Sequence, residues 1–207
     1  MKTKRIVTTA LMLAIASLLS LFTPFHLPFG GGITIASMLP VVIVSYIYGA
    51  GWGFVAGFVY SLIQLLLGAG TVSAFFLPGE SQLNVACAIA VCFLDYIAAY
   101  TVLGLGGIFK SRFKSQASEI TAGSIIALGA RYLMHIISGA LFFGQWAEWF
   151  FSQEGFYTFG SSILEKLSDF PLSVVYSVFY NGLYMVPEII ITAILAPFVC
   201  RIVLKNR

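Results

Sequence analysis

The sequence predicts an all-α membrane protein with six transmembrane helices. Hydrophobic residues make up 59% of the 207, and charged residues only 9%, against about 25% charged in a soluble domain. Mean hydropathy is +0.97. The apolar residues gather into runs near the roughly 20-residue length that crosses a bilayer as a helix. Six spans are expected, at about 6–23, 34–50, 53–69, 83–107, 118–144 and 172–200. The chain reads as one integral membrane domain, 1–207.

Lys2, Lys4 and Arg5 precede the first span, and no small-residue cleavage site with a soluble domain follows, so this run reads as a true helix and not a cleaved signal. Pro24, Pro28 and Gly30–Gly31–Gly32 end it. Pro40 falls inside the second span and predicts a kink there. Gly49, Gly51 and Gly53 make a short turn into the third span. The stretch Gly68–Gln82, with Pro78, Gly79 and Glu80, reads as irregular. Outer loops are expected at about 24–33, 70–82 and 145–171.

Basic residues set the orientation. Lys2, Lys4 and Arg5, then Lys110, Arg112 and Lys114, then Arg201, Lys205 and Arg207 fall on one side of a six-span chain. Both termini are therefore expected in the cytoplasm. Loop 145–171 lies outside and carries Glu148, Glu154, Glu165 and Asp169 against Lys166. Its aromatics, from Trp146 through Tyr157 to Phe159, make it amphipathic, as a lid or an interfacial segment would be.

Asp95 is the only charge in the fourth span, LNVACAIAVCFLDYIAAYTVLGLGGIF. A carboxylate at the bilayer centre costs about 2.5–3.5 kcal/mol on insertion scales, so it faces protein or a wet cavity. In the fifth span Arg131 and His135 are four apart and share a helix face, with Ser138 and Gly139 close to it. In the sixth, Tyr176, Tyr180 and Tyr184 form one stripe, with Asn181 beside it and Glu188 after Pro187. These residues predict a ligand pocket between spans four, five and six. Asp95 would accept hydrogen bonds or balance a cation, and aromatic rings would form flat walls. Arg131 reads equally as a group of the pocket or as a structural partner for Asp95 or Glu188, and Glu188 as a structural group.

Several classes are disfavoured. HExxH, a GxSG-type nucleophile and a Walker A loop are absent from the sequence, so an enzyme or a self-sufficient ATPase is not expected. Cys87, Cys92 and Cys200 sit in apolar runs without metal-ligand spacing, so no metal and no cofactor is expected. The net charge of +3 reflects basic loop ends and does not imply nucleic acid. A stand-alone proton-coupled carrier using Asp95 and His135 as a relay stays open at this level. Ala10 and Ala14, with Ala16 alongside, form a small-xxx-small pattern in the first span. It serves either packing within the chain or docking of another membrane subunit.

Four segments carry a family resemblance: ASMLPVVIVSYIYGAGWGFVAGFVYSLIQLLLG, LDYIAAYTVLGLGG, GARYLMHIISGALFFG and VYSVFYNGLYMVPE. Over nearly its whole length the chain resembles the ThiT-like thiamine-binding S components of energy-coupling factor (ECF) transporters. The resemblance implies the six-helix S-component fold in a prokaryotic plasma membrane, with a thiamine cavity open to the outside. It implies three protein partners, a transmembrane coupling subunit and two cytoplasmic ATPases, besides membrane lipid. Asp95 takes the place of the family's acidic residue, Glu in the familiar pattern, with Tyr96 following it. His135 and Gly139, then Tyr176 and Asn181, match its ligand-binding positions. Phe143 stands where the pattern has a tryptophan wall, and Tyr60 takes a tryptophan position of span three. Ala10 and Ala14 match the motif that docks S components to the coupling subunit. A related ligand, such as another small vitamin or a thiamine precursor, is the alternative within this class.

Overall fold

The computed structural model describes residues 2–27 and 31–205, apart from the side chain of Tyr157. Pro28, Gly30 and Arg207, which entered the sequence reading, lie outside the described residues.

The described residues are helical apart from short connections and one small hairpin. Helix α1 (Lys2–Leu21) leads into β1 (Phe25–His26) and β2 (Gly32–Ile33), a two-stranded antiparallel pair. Then come α2 (Leu39–Tyr48), α3 (Ala50–Leu67) and the short α4 (Ala69–Ala74). The fourth span is composite. It starts as α5 (Val85–Val91), widens into a π-helix at Cys92–Ala98, passes through α6 (Ala99–Thr101) and tightens to a 3-10 helix at Val102–Gly107. Helix α7 (Gln116–Phe142) follows, then α8 (Ala147–Phe151), α9 (Tyr157–Lys166) and the long α10 (Asp169–Lys205).

Among the described residues, five helical segments are long and apolar enough to cross a membrane: α1, α3, Val85–Gly107, α7 and α10. The expected second span differs. Only Leu39–Tyr48 is helical, and residues 34–38 form a non-helical approach to it. Pro40 does not kink this helix but sits in its first turn, where a missing N–H costs no intrahelical bond. The Thr34 amide is satisfied instead by a carboxylate from α10. Irregular backbone at membrane depth survives only when it is buried in protein or lines a cavity, and Thr34, Ser37 and Met38 do line one. Part of the expected irregular stretch after Gly68 is also helical, as α4.

Helices α7 and α10 pack along much of their length, while α2 and α3 pack on the end of the fourth span. The inward face of α10 presents Tyr176, Tyr180, Tyr184, Glu188, Thr192 and Ala196 at intervals of four. Its outward face is apolar, with Phe198 65% and Ile194 60% exposed, as lipid contact requires. Small residues set the closest approaches. A Cβ at Gly123 of α7 would collide with the Gly106 carbonyl oxygen of the fourth span. Gly123→Leu is therefore expected to destabilise the fold by about 1–3 kcal/mol, through overpacking. Gly129→Leu, at a site with open space around it, is the control. Thermal unfolding of both variants in detergent checks this, with the loss confined to the first.

The segment 145–171 is tied down by aromatic contacts. Phe150 of α8 packs edge-on against Tyr176 and Tyr180, with ring centroids 5.4 and 5.8 Å apart. Phe151 meets Phe179. Trp149 and Phe159 remain exposed.

Candidate functional site

A cavity of about 630 Å³ lies among α3, the fourth span, α7, α10 and the hairpin, inside the 300–1,000 Å³ range of small-molecule sites. Asp95 reaches it from the π-helical stretch. Such bulges recur at functional sites, because the extra residue per turn re-aims a side chain. Asp95 keeps 20% of its side chain exposed, enough to meet a ligand.

Both oxygens of Asp95 are held from α7. Ser138 donates from Oγ to Oδ2 at 2.7 Å, and His135 Nδ1 lies 2.8 Å from Oδ1. Arg131 fixes the roles on the imidazole. Its Nε–H donates to His135 Nε2 at 3.1 Å. Arginine carries no acceptor, so Nε2 must offer its lone pair and the imidazole hydrogen sits on Nδ1, donated to Asp95. The result is a directed chain, Arg131 to His135 to Asp95. A carboxylate has about four acceptor positions, so each Asp95 oxygen retains capacity for a ligand donor.

Arg131 reaches Asp95 through His135 and not by direct contact. Among the described residues it makes no ion pair with either, and the recorded pair is His135–Asp95. Its guanidinium lies 4.0 Å over the Tyr100 ring. Glu188 is 1% exposed. Its Oε1 accepts from both the amide and the hydroxyl of Thr34, at 2.5 Å each, which anchors the approach to α2. Its Oε2 has no hydrogen-bond partner among the described residues.

The opposite wall comes from α10. Tyr184 donates to Asn181 Oδ1 at 2.7 Å and meets the His135 ring edge-on at 5.9 Å. Asn181 Nδ2 donates to the His135 carbonyl and to Ser177. Gly139 lets the two helices close, since a Cβ there would strike Ser177. Tyr176 and Tyr180 stand 5.6 Å apart, and Tyr96, Tyr100, Phe75 and Phe143 supply further rings.

Asp95, Tyr96, His135, Gly139, Phe143, Tyr176 and Asn181 all line this one cavity. Tyr60 does not, and its expected wall role is corrected. It is fully buried behind Tyr100, ring to ring at 5.2 Å, and donates to the Ala16 carbonyl. Its side of α3 faces α1, so it is part of a helix contact. Ala10 and Ala14 lie on the exposed face of α1, away from the cavity, whereas Ala16 is buried. Gln64 and Phe75 line the cavity without having been singled out. Gln64 carried a signal, as a polar group in an apolar helix; it donates to Ser20 and accepts from Tyr100. Phe75 carried none.

Comparisons with known proteins place this site in context. The family model described as "Thiamine transporter protein (Thia_YuaJ)" matches residues 6–154. The thiamine transporter ThiT of Bacillus subtilis (strain 168) is 30% identical over 201 residues, covering 92% of this chain and 86% of that protein. A solved structure of ThiT from Listeria monocytogenes superposes with a TM-score of 0.69, covering 99% of this chain and 97% of that one; at 18% identity it speaks for the fold alone. These relatives are transporters and not enzymes. The family model spans well over half the chain and the full-length relative agrees with it, so this integral membrane protein belongs to the thiamine transporter protein family.

Proposed function

We propose that the protein is the thiamine-binding S component of an ECF-type importer, taking thiamine from outside a prokaryotic cell membrane. The observation that carries this is Asp95, held by His135 and Ser138 at the wall of an aromatic cavity. Thiamine is a permanent cation with an aminopyrimidine ring, a thiazolium ring and a hydroxyethyl tail. An amino group fits the spare acceptor positions of Asp95, and the tyrosine and phenylalanine faces suit flat and cationic rings. The Arg131 N–H occupies the lone pair of His135 Nε2, the atom a relay would have to protonate, which argues against the proton-relay carrier.

Transport then rests on partners: a transmembrane coupling subunit, docked on the exposed Ala10–Ala14 face of α1, and two cytoplasmic ATPases. Small residues let another helix approach closely in lipid. The test separates capture from coupling. Purified protein should bind thiamine in a titration. Ala14→Leu, alone or with Ala10→Leu, should leave that affinity within about twofold. The same variants should cut ATP-dependent uptake at least tenfold in vesicles containing all four subunits. Uptake driven by a proton gradient without ATPases would overturn the ECF reading. Tighter binding of the isolated pyrimidine moiety than of thiamine would move the ligand to a precursor.

A further inference from the structure

A second chamber of about 230 Å³ adjoins the main cavity, and the two share Thr71, Phe75 and Phe143 as lining. The partition between them includes a tilted pair of rings, Phe75 and Phe143, with centroids 6.0 Å apart. No hydrogen bond locks a phenylalanine ring, so side-chain rotation, with a shift of Phe75 from its packing on Ala88 and Val91, would open this partition. Trp146, Ser81 and Gln145 also line the chamber. Trp149 meets Trp146 edge-on at 6.4 Å and supports it. Aromatic residues around a small space can receive an organic cation where a ring face turns toward it.

The surroundings favour the same class of ligand. Among the described residues, no charged side chain lines the chamber. Glu80 and Glu148 are exposed on the segments that carry Ser81 and Trp146. Acidic residues around a low-dielectric opening raise the local concentration of cations. With no carboxylate inside, the chamber would hold a cation weakly and release it readily. Its volume lies below the usual range for a complete small-molecule site, which suits a transit position.

We propose that this chamber is an outer encounter site for a flat organic cation, which then passes between Phe75 and Phe143 to Asp95. The proposal rests on the thiamine-binding reading. A site on the path, as opposed to the destination, alters rates and leaves the equilibrium alone. Radiolabelled thiamine and the purified full chain give association and dissociation rates by rapid filtration. Trp146→Ala should slow both about three- to tenfold, with the Kd within twofold of wild type. Trp146→Phe, which keeps a ring face, should restore most of the rate. Glu80→Gln with Glu148→Gln should lower the association rate and flatten its dependence on salt. Wild-type rates in Trp146→Ala, with wild-type protein binding thiamine normally, would overturn the encounter site alone. A failure of wild-type protein to bind thiamine would overturn both readings.

Discussion

Asp95→Asn is expected to weaken thiamine binding by about 2–5 kcal/mol, or roughly 30-fold to several thousand-fold. The substitution keeps the shape and removes the charge. It also turns one oxygen into an amide nitrogen, which must face either His135 Nδ1–H or Ser138 Oγ, both now donating to Asp95. Facing His135 it sets donor against donor; facing Ser138 it can donate to the hydroxyl oxygen, whose own hydrogen then loses its acceptor, and in both cases the ligand loses acceptor positions. A buried donor without an acceptor costs about 1–3 kcal/mol, even before the ligand arrives. Asp95→Glu keeps the charge but pushes the carboxylate about one methylene further into the cavity, so a smaller loss is expected. Titration calorimetry in detergent checks both, with thermal unfolding as the control for folding. Affinity in Asp95→Asn within threefold of wild type would remove Asp95 from the ligand's contacts.

Much of this site was legible because lipid makes polar residues expensive. Asp95 stood out as one charge in an apolar run, and Arg131 with His135 as two polar groups one helical turn apart. The tyrosines of α10 were readable as a stripe because helical periodicity fixes which residues share a face. Other features depend on how chain segments cross, which periodicity does not encode. Gly30–Gly32 and Pro40 announced a break, but not that residues 34–38 would return into the protein and bind Glu188. Tyr60 lay one helix face away from its expected place, because the rotation of α3 is set by its contacts with α1 and Tyr100. The π-helical turn at Asp95 leaves no residue pattern of its own. Nothing in Phe75 distinguished it from the other 18 phenylalanines, since its role comes from meeting Phe143.

Arg131→Met is expected to lower thiamine affinity by about 1–3 kcal/mol, although it removes a positive charge from a cavity that receives a cation. Two effects oppose each other here. Removing the charge favours a cationic ligand; at an effective dielectric of 20 and about 8 Å, the Coulomb energy is roughly 2 kcal/mol. Glu188 lies within electrostatic reach of Arg131 and opposes that charge. The other effect is local and directional. Without the Arg131 donor, His135 Nε2 has no partner and the hydrogen is no longer confined to Nδ1. The tautomer with hydrogen on Nε2 presents a lone pair to Asp95 and loses the 2.8 Å hydrogen bond. The packing of the guanidinium on Tyr100 goes as well. The local loss should win because it breaks direct contacts to the carboxylate that meets the ligand, whereas the charge acts at a distance and is opposed by Glu188. Arg131→Lys keeps a charge and a donor without the planar stacking, and should fall between wild type and Arg131→Met. A double-mutant cycle with Asp95→Asn gives the discriminating result. If Arg131 acts through His135 on Asp95, the two losses will be less than additive by about 0.5–3 kcal/mol. Strict additivity would mean that Arg131 supports the cavity by packing alone, and the chain from Arg131 to Asp95 would have no role in recognition.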